Sequence, residues 1–336
     1  MGYSLGIGLT NDCNLSCAHC YRDIDRIDHI SLAQIRQICE TIDIDAVGMG
    51  TGENALNPEF SQIVTYLAER DIKLSVASNG YTLTSIPNDI LDAFHDVEVS
   101  IDFPTEVEQD SFRGSGNWKL VHQAIERCQR NGVEVSILTT LMKVNYNKMG
   151  SMVALARANG VNLRVNAYQA VKTDTYKLNY EEFWSGYRRL FSKGLVVSIS
   201  EPVVRAAIGL EEVRSPCGRN SIRVNPRGQL IPCVYWPADP SLTELDNGIP
   251  TLENLLNEGE AVLKCNVFES ARVEPHQTAN CPCRGGCASR RALNGKLQAH
   301  DDYCPWERGD DFQLVWRAAP RKDLMRSSNV CTTIVV

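Results

Sequence analysis

Thirteen cysteines in 336 residues, grouped rather than scattered, are the feature that most limits how this chain can fold. They fall at 13, 17, 20, 39, 128, 217, 233, 265, 281, 283, 287, 304 and 331, so three crowd the front and eight lie beyond residue 216. The opening Met-Gly-Tyr-Ser-Leu-Gly-Ile-Gly-Leu-Thr has no charged n-region and no cleavage signature, which argues for a reducing, cytoplasmic setting. Thiols clustered at short spacing in such a compartment point to metal or iron–sulfur sites rather than to disulfides. Lys and Arg number 34 against 41 Asp and Glu, a net charge of −7, so no basic surface advertises nucleic acid. No apolar run reaches the ~20 residues of a membrane helix. Neither nucleic acid nor a membrane is therefore expected as a partner.

Between the two cysteine groups the pattern alternates. Strand-like runs at 3–9, 46–51, 73–77, 97–101, 133–141 and 163–167 are separated by helical periodicities, among them a helix capped by Ser31 with apolar Leu32, Ile35, Ile38 and Ile42. Strands separated by helices argue for parallel βαβ units. Six of them predict an α/β fold, a partial (β/α)6 TIM-like barrel with a cysteine-rich C-terminal extension. The expected divisions are a core over 1–170, a bridging segment over 171–216, a cysteine-rich domain over 217–310 and a tail over 311–336. The tail ends in the β-prone Cys331-Thr-Thr-Ile-Val-Val336 and is expected to dock on the remainder.

Thr10-Asn-Asp-Cys13-Asn-Leu-Ser-Cys17-Ala-His-Cys20 places three thiols in a loop after the first strand. Three thiolates this close can grip three irons of a [4Fe–4S] cube and leave the fourth without a protein ligand. The alternative is zinc, for which His19 sits too tightly between the cysteines to complete four ligands easily.

The spacing resembles the signature of the radical S-adenosylmethionine (SAM) superfamily. The resemblance implies that Cys13, Cys17 and Cys20 ligate the cluster and that the open iron chelates SAM. One electron then cleaves SAM to methionine and a 5′-deoxyadenosyl radical, which takes a hydrogen atom from substrate. Gly50-Thr51-Gly52-Glu53 resembles the family's Gly-Gly-Glu-Pro segment, with Thr51 and Asn54 as departures, and implies that Gly52 and Glu53 receive the SAM amino group. Ser78-Asn79-Gly80 resembles its Thr-Asn-Gly turn. Ser100-Ile101-Asp102 followed by Asp110-Ser-Phe-Arg113-Gly114 resembles a pattern of one branch. By that likeness Ser100 touches ribose, Arg113 takes the methionyl carboxylate, and the His19 backbone lies near adenine. A surface salt bridge is the competing reading of Arg113.

The C-terminal end is similar to the SPASM extension of radical SAM enzymes, or to its shorter twitch form. Cys217, Gly228 and Cys233 fit the pattern's first half, and Cys283, Cys287 and Cys304 fit its end. The middle departs: only Cys281 and the distant Cys265 precede Cys283. One or two auxiliary [4Fe–4S] clusters are expected. The first would use Cys217, Cys233 and Cys287 with an open or unconventional fourth position, and the second Cys265, Cys281, Cys283 and Cys304. Zinc is the competing metal for both. Cys331 is either a ligand, a hydrogen donor to substrate radicals, or a bystander.

These features imply a radical SAM enzyme that modifies a peptide by crosslinking, oxidation or epimerisation. A small-molecule dehydrogenase or epimerase acting on a sugar, aminoglycoside or nucleoside is the alternative, and a non-catalytic metal-binding adaptor the third reading. A one-electron donor such as flavodoxin or ferredoxin is expected. A peptide substrate would need a separate leader-recognition protein or direct contact.

Overall fold

A computed structural model describes residues 2–210, 217–237, 248–275, 281–310, 312–320 and 331–336. Its strands are β1 Tyr3–Ile7, β2 Ile44–Met49, β3 Lys73–Ser78, β4 Asp96–Ser100, β5 Glu134–Leu141, β6 Asn162–Ala167, β7 Val196–Ile199, β8 Ser221–Val224, β9 Leu230–Ile231 and β10 Thr332–Val335. They form one open sheet in the order β7-β10-β6-β5-β4-β3-β2-β1-β8-β9. The six strands from β1 to β6 pair in parallel with their sequence neighbours, as the alternating pattern predicts. The sheet does not close, so the expected partial barrel is an open one.

Local chemistry accounts for the helices that cover it. Ser31 accepts from the Gln34 amide and Gln34 reaches back to the Ser31 backbone, starting the helix Leu32–Thr41, whose Ile35 and Ile38 are buried. In the helix Asn117–Arg130, Val121, Ala124, Ile125 and Cys128 recur at helical spacing and are all buried. Cys128 is thus a core residue, and Cys39 is half-buried.

Two strands extend the sheet in ways the spacing of residues did not disclose. β8 pairs in parallel with β1, Gly6 lying opposite Arg223. A Cβ on Gly6 would fall 2.3 Å from Arg223 Cδ, so the glycine makes room for that buried side chain. At the other side β10 inserts between β6 and β7, antiparallel to both. The cysteine-rich region and the tail are therefore built into the sheet of the core rather than appended to it.

The sheet also buries charged side chains. Arg164, with no exposed surface, donates to Glu98 Oε1 and Asp96 Oδ2, both at 2.9 Å. Burial pushes the Asp96 carboxyl up and its attraction to Arg164 pulls it down, with burial the larger effect.

Candidate active site

The carboxyl ends of β2 to β6 open into a cavity of about 1100 Å³ that includes its solvent-facing mouth. The loop after β1 brings Cys13, Cys17 and Cys20 to its wall, and the segment after β2 brings Gly50–Glu53. Ser78, Asn79, Ser100, Thr140 and Asn166 complete the strand-end lining. Ligand sites of parallel α/β sheets lie at this end because loops there converge while the strands hold them rigid.

The cysteine loop is held by its own polar groups. The Arg22 guanidinium, itself buried, donates to the carbonyls of Asn11 and Leu15, each at 2.6 Å. Asn11 donates to the carbonyls of Asp23 and Arg26 and accepts from the Asp28 amide. The turn after β2 clamps the same loop: Glu53 N–H donates to Asp12 O at 2.7 Å, and Tyr21 and Thr51 hydroxyls meet at 2.9 Å. Thr51 and Gly52 have φ of 69° and 65°, and a Cβ on Gly52 would lie 2.4 Å from Asp12 O and 2.5 Å from Thr10 O. Glycine at 52 is thus required by both backbone conformation and close approach.

Glu53 is 1% exposed, and its carboxylate accepts from Ser78 Oγ at 2.5 Å, Asn79 N at 2.9 Å and Thr82 N at 2.8 Å. It therefore shapes the Ser78–Thr82 turn as well as lining the cavity. The Thr82 side chain adds a further hydrogen bond, so the carboxylate is held by donors from Ser78, Asn79 and Thr82. Burial raises the Glu53 carboxyl above its ordinary range, opposed by these hydrogen bonds. Asn79 Nδ2 in turn donates to Asn14 Oδ1 at 2.8 Å and to Cys13 Sγ at 3.5 Å, tying the turn to the first thiol.

Asp102 is fully buried and is not in the cavity wall. Its Oδ2 accepts from Arg113 Nε and Nη2, and its Oδ1 from Thr140 N at 2.9 Å. The ion pair foreseen as the competing reading of Arg113 is thus present, but buried rather than on the surface, and Arg113 still lines the cavity. His19 packs on Phe112 with ring centroids 4.9 Å apart, its Nε2 3.8 Å from Asp102. Burial drives the His19 ring down to about 4, so it is neutral at physiological pH.

Burial pushes the Cys13 thiol up to about 11 and raises Cys17 as well. Thiolates become stable in such surroundings when a bound cation supplies compensating charge. This donor set of three thiols in one loop fits a cluster that leaves one iron open.

A second cavity, of about 480 Å³ including space open to solvent, adjoins the first and shares Asn166, Gln169 and Tyr235 with it. Cys217, Cys233, Cys287 and Cys331 all line it. The Cys331 thiol is hydrogen-bonded to Cys217, a contact that together with burial raises it well above the ordinary thiol range. Burial pushes Cys233 up to about 12. Arg223 and Arg290 supply positive charge nearby: Arg223 acts on Cys217, Cys233 and Cys331, and Arg290 on Cys287. Four thiols around one cavity, flanked by cations, are a donor set that fits a fully ligated cube.

The remaining thiols group differently. Cys281, Cys283 and Cys304 are buried with every ligand atom within 4.8 Å of the others, the one such group among the described residues. Cys265 is outside that group and caps the helix Asn266–Arg272. Cys283 and Cys287 face different sites because Arg284, Gly285 and Gly286, with φ of 47°, 87° and 71°, turn the chain between them.

Several residues of these sites carried no sequence signal. Arg290 donates to Asp301 at 2.6–3.0 Å and to Glu201 Oε1 at 2.7 Å, while Asp301 Oδ2 accepts from Cys287 N at 2.7 Å. Gln169 Nε2 lies 3.7 Å from Cys287 Sγ. Isolated Arg, Gln and Tyr residues far apart in sequence have no spacing that marks them.

An open α/β sheet with a three-cysteine loop at the carboxyl end of β1, facing a strand-end cavity, is the arrangement that the resemblance to radical SAM enzymes implies. Residues 7–156 match the model of the radical SAM superfamily, so the chain carries a radical SAM domain there, and a cysteine cluster lies in its C-terminal region. The family implies SAM and a [4Fe–4S] cluster. The chain is 24% identical over 334 residues to the mycofactocin maturase MftC of Mycobacterium tuberculosis, covering 88% of this chain and 81% of that protein. It is 23% identical over 338 residues to the antilisterial bacteriocin subtilosin biosynthesis protein AlbA of Bacillus subtilis, covering 91% and 71%. Among solved structures, anSMEcpe with bound AdoMet and the Cp18Cys peptide matches with a TM-score of 0.69 at 16% identity, covering 91% of this chain and 94% of that one. Streptococcus suis SuiB bound to its precursor peptide SuiA matches with a TM-score of 0.63 at 13% identity, covering 90% and 75%. These likenesses establish the fold. Among the described residues, no helix is long and apolar enough to cross a membrane.

Proposed function

We propose that this enzyme is a peptide maturase of the SPASM kind, with the front cavity as its SAM and substrate chamber and the four-thiol cavity as an auxiliary [4Fe–4S] site. The observation that carries the reading is the sharing of Asn166, Gln169 and Tyr235 between the two cavities. A substrate in the first chamber would lie against the wall of the second, where a cluster can take up an electron from it or hold it. The maturase name of MftC, the bacteriocin-biosynthesis name of AlbA and the precursor peptide on SuiB support a peptide as that substrate.

When bound, the front cluster supplies the electron that cleaves SAM to methionine and a hydrogen-abstracting 5′-deoxyadenosyl radical. The chain's own residues position the partners. Cys13, Cys17 and Cys20 would hold the cluster, with Asn79 Nδ2 donating to the Cys13 sulfur. Glu53, with Gly52, Ser78 and Asn79 around it, would accept from the SAM ammonium at the cavity wall. Arg113, locked by Asp102, would present its guanidinium to the methionyl carboxylate, a pairing that suits an arginine fork. Ser100 would contact the ribose and His19 would neighbour the adenine. Leu15, Ala77 and Leu138 give the wall apolar surface that displaces water from the reacting centre. Cys217, Cys233, Cys287 and Cys331 would hold the auxiliary cluster, which answers the open fourth position with the tail cysteine.

The test is anaerobic reconstitution with iron and sulfide, then incubation with SAM, dithionite and a short peptide encoded beside the gene. Peptide-stimulated 5′-deoxyadenosine with a hydrogen-loss mass change in the peptide is expected. Stimulation by a sugar or nucleoside instead, with the peptide unchanged, overturns the peptide reading in favour of small-molecule chemistry.

A further inference from the structure

We infer that Cys281, Cys283 and Cys304, with His300, form a mononuclear zinc site rather than a second auxiliary iron–sulfur cluster. The inference goes beyond the maturase reading and does not depend on it.

The distances decide first. Cys281 and Cys283 sulfurs are 3.1 Å apart, Cys281 and Cys304 3.4 Å, and Cys283 and Cys304 3.5 Å. In a cube each thiolate binds a different iron and the ligand sulfurs diverge, so three sulfurs all gathered on one point suit a single ion rather than four irons. Around one zinc ion, bonds of about 2.3 Å in tetrahedral geometry hold the sulfurs about 3.8 Å apart. The triad is already close to that spacing. The other two thiol groups provide an internal contrast, since neither brings three sulfurs within 4.8 Å of one another. Spacing along the chain agrees, because Cys281 and Cys283 are separated only by Pro282. The residues do not fit a cube here.

The fourth ligand follows from His300. It acts electrostatically on Cys281 and lines, together with Cys304, a solvent-open cavity of about 1010 Å³. Its Nε2 is 2.9 Å from Glu307 Oε2, while its buried Nδ1 has no hydrogen-bond partner among the described residues. A histidine that gives one ring N–H to a carboxylate and keeps the other nitrogen as a lone pair is prepared as a zinc ligand. Glu307 fixes the tautomer that this requires. The ring lies outside the 4.8 Å thiol group, so it must rotate toward the sulfurs as the ion binds. His300-x3-Cys304 and Cys281-x-Cys283 would then close the site with four protein ligands, which is the structural rather than the catalytic form of zinc coordination.

The location gives the ion a task. Tyr303, next to Cys304, stacks on Phe183 at 4.0 Å and accepts through its carbonyl from Trp184 Nε1 at 3.1 Å. Asp301, next to His300, holds both Arg290 and the Cys287 amide. Zinc would therefore pin the two chain segments that position Cys287 in the neighbouring four-thiol cavity.

The experiment is metal analysis of anaerobically purified and reconstituted full-length protein, with zinc K-edge absorption spectroscopy. One zinc per chain with three sulfurs at about 2.3 Å and one nitrogen at about 2.0 Å is expected. Iron should total about eight, four for each of two cubes. Cys304→Ser should lose the zinc, His300→Ala should lose the nitrogen scatterer, and His300→Cys should retain zinc with four sulfurs. Iron near twelve without zinc, or no metal with a Cys281–Cys283 disulfide, overturns the proposal. The wild-type spectrum decides even if a variant fails to fold. Zinc without SAM cleavage would sink the maturase reading and leave this site intact, and cleavage without zinc would do the reverse.

Discussion

Arg113 donates through both Nε and Nη2 to a single oxygen of Asp102, each at 2.7 Å, while the other oxygen of Asp102 holds the Thr140 amide. One carboxylate with no exposed surface thus links the segment after β4, the helix that carries Arg113 and the end of β5. The guanidinium is held at the cavity wall by this pair rather than by its own packing.

Asp102→Asn keeps the shape but removes the charge that anchors Arg113. SAM affinity should fall about 10-fold or more, the equivalent of one charged hydrogen bond, while iron content is unchanged. Calorimetric titration of SAM into the reconstituted variant measures this. An unaltered affinity would show that Arg113 needs no such anchor.

Replacing Cys13, Cys17 and Cys20 together with Ala should remove about four irons and abolish 5′-deoxyadenosine formation. The iron that remains reports on the C-terminal thiols alone. Persistent deoxyadenosine in this variant would exclude the loop as the cluster site.

Cys331→Ser tests the tail. Lining the same cavity as Cys217, Cys233 and Cys287, it should lose or degrade one cube, up to about four irons, while SAM cleavage at the front continues. Full iron retention by Mössbauer spectroscopy, with lost turnover, would make the thiol a hydrogen donor instead.

Gly52→Ala drives a methyl group into the carbonyls of Asp12 and Thr10 at a φ of 65°. It should cost about 1–3 kcal/mol from overpacking and impair loading of the front cluster. Gly116, whose φ is 81° and whose Cβ position has nothing within 4 Å, is the control. Gly116→Ala carries backbone strain without a clash, so its iron content should stay at the wild-type level.

Arg290→Met leaves Asp301 and Glu201 buried without their cation. Breaking such a network by removing one partner costs about 3–5 kcal/mol, read as a lower denaturation midpoint. Cys287 should lose its placement at the same time, because Asp301 positions its amide. A midpoint equal to wild type would show that the carboxylates find other partners.

The local signals carried far. Alternating periodicities gave six parallel strands in order, Ser31 gave a helix start, and the cysteine loop with Gly52, Glu53, Ser78, Asn79, Ser100 and Arg113 gave the cavity wall at the strand ends. Each of these depends on neighbours within a few residues, or on the rule that parallel strands present their following loops at one end. The partnership of the thiols did not follow from spacing. Cys283 and Cys287 are four residues apart, yet Cys283 groups with Cys281 and Cys304 while Cys287 lines the cavity of Cys217, because three consecutive left-handed residues turn the chain between them. Cys331 is more than a hundred residues from Cys217 yet touches it, because β10 finds its place between β6 and β7. Thr332 then bonds Asn166 at 2.9 Å, fixing the tail beside both cavities. Sequence thus determined which local elements and donor groups exist. Sheet order, which is decided by long-range strand pairing and burial, determined which donors meet.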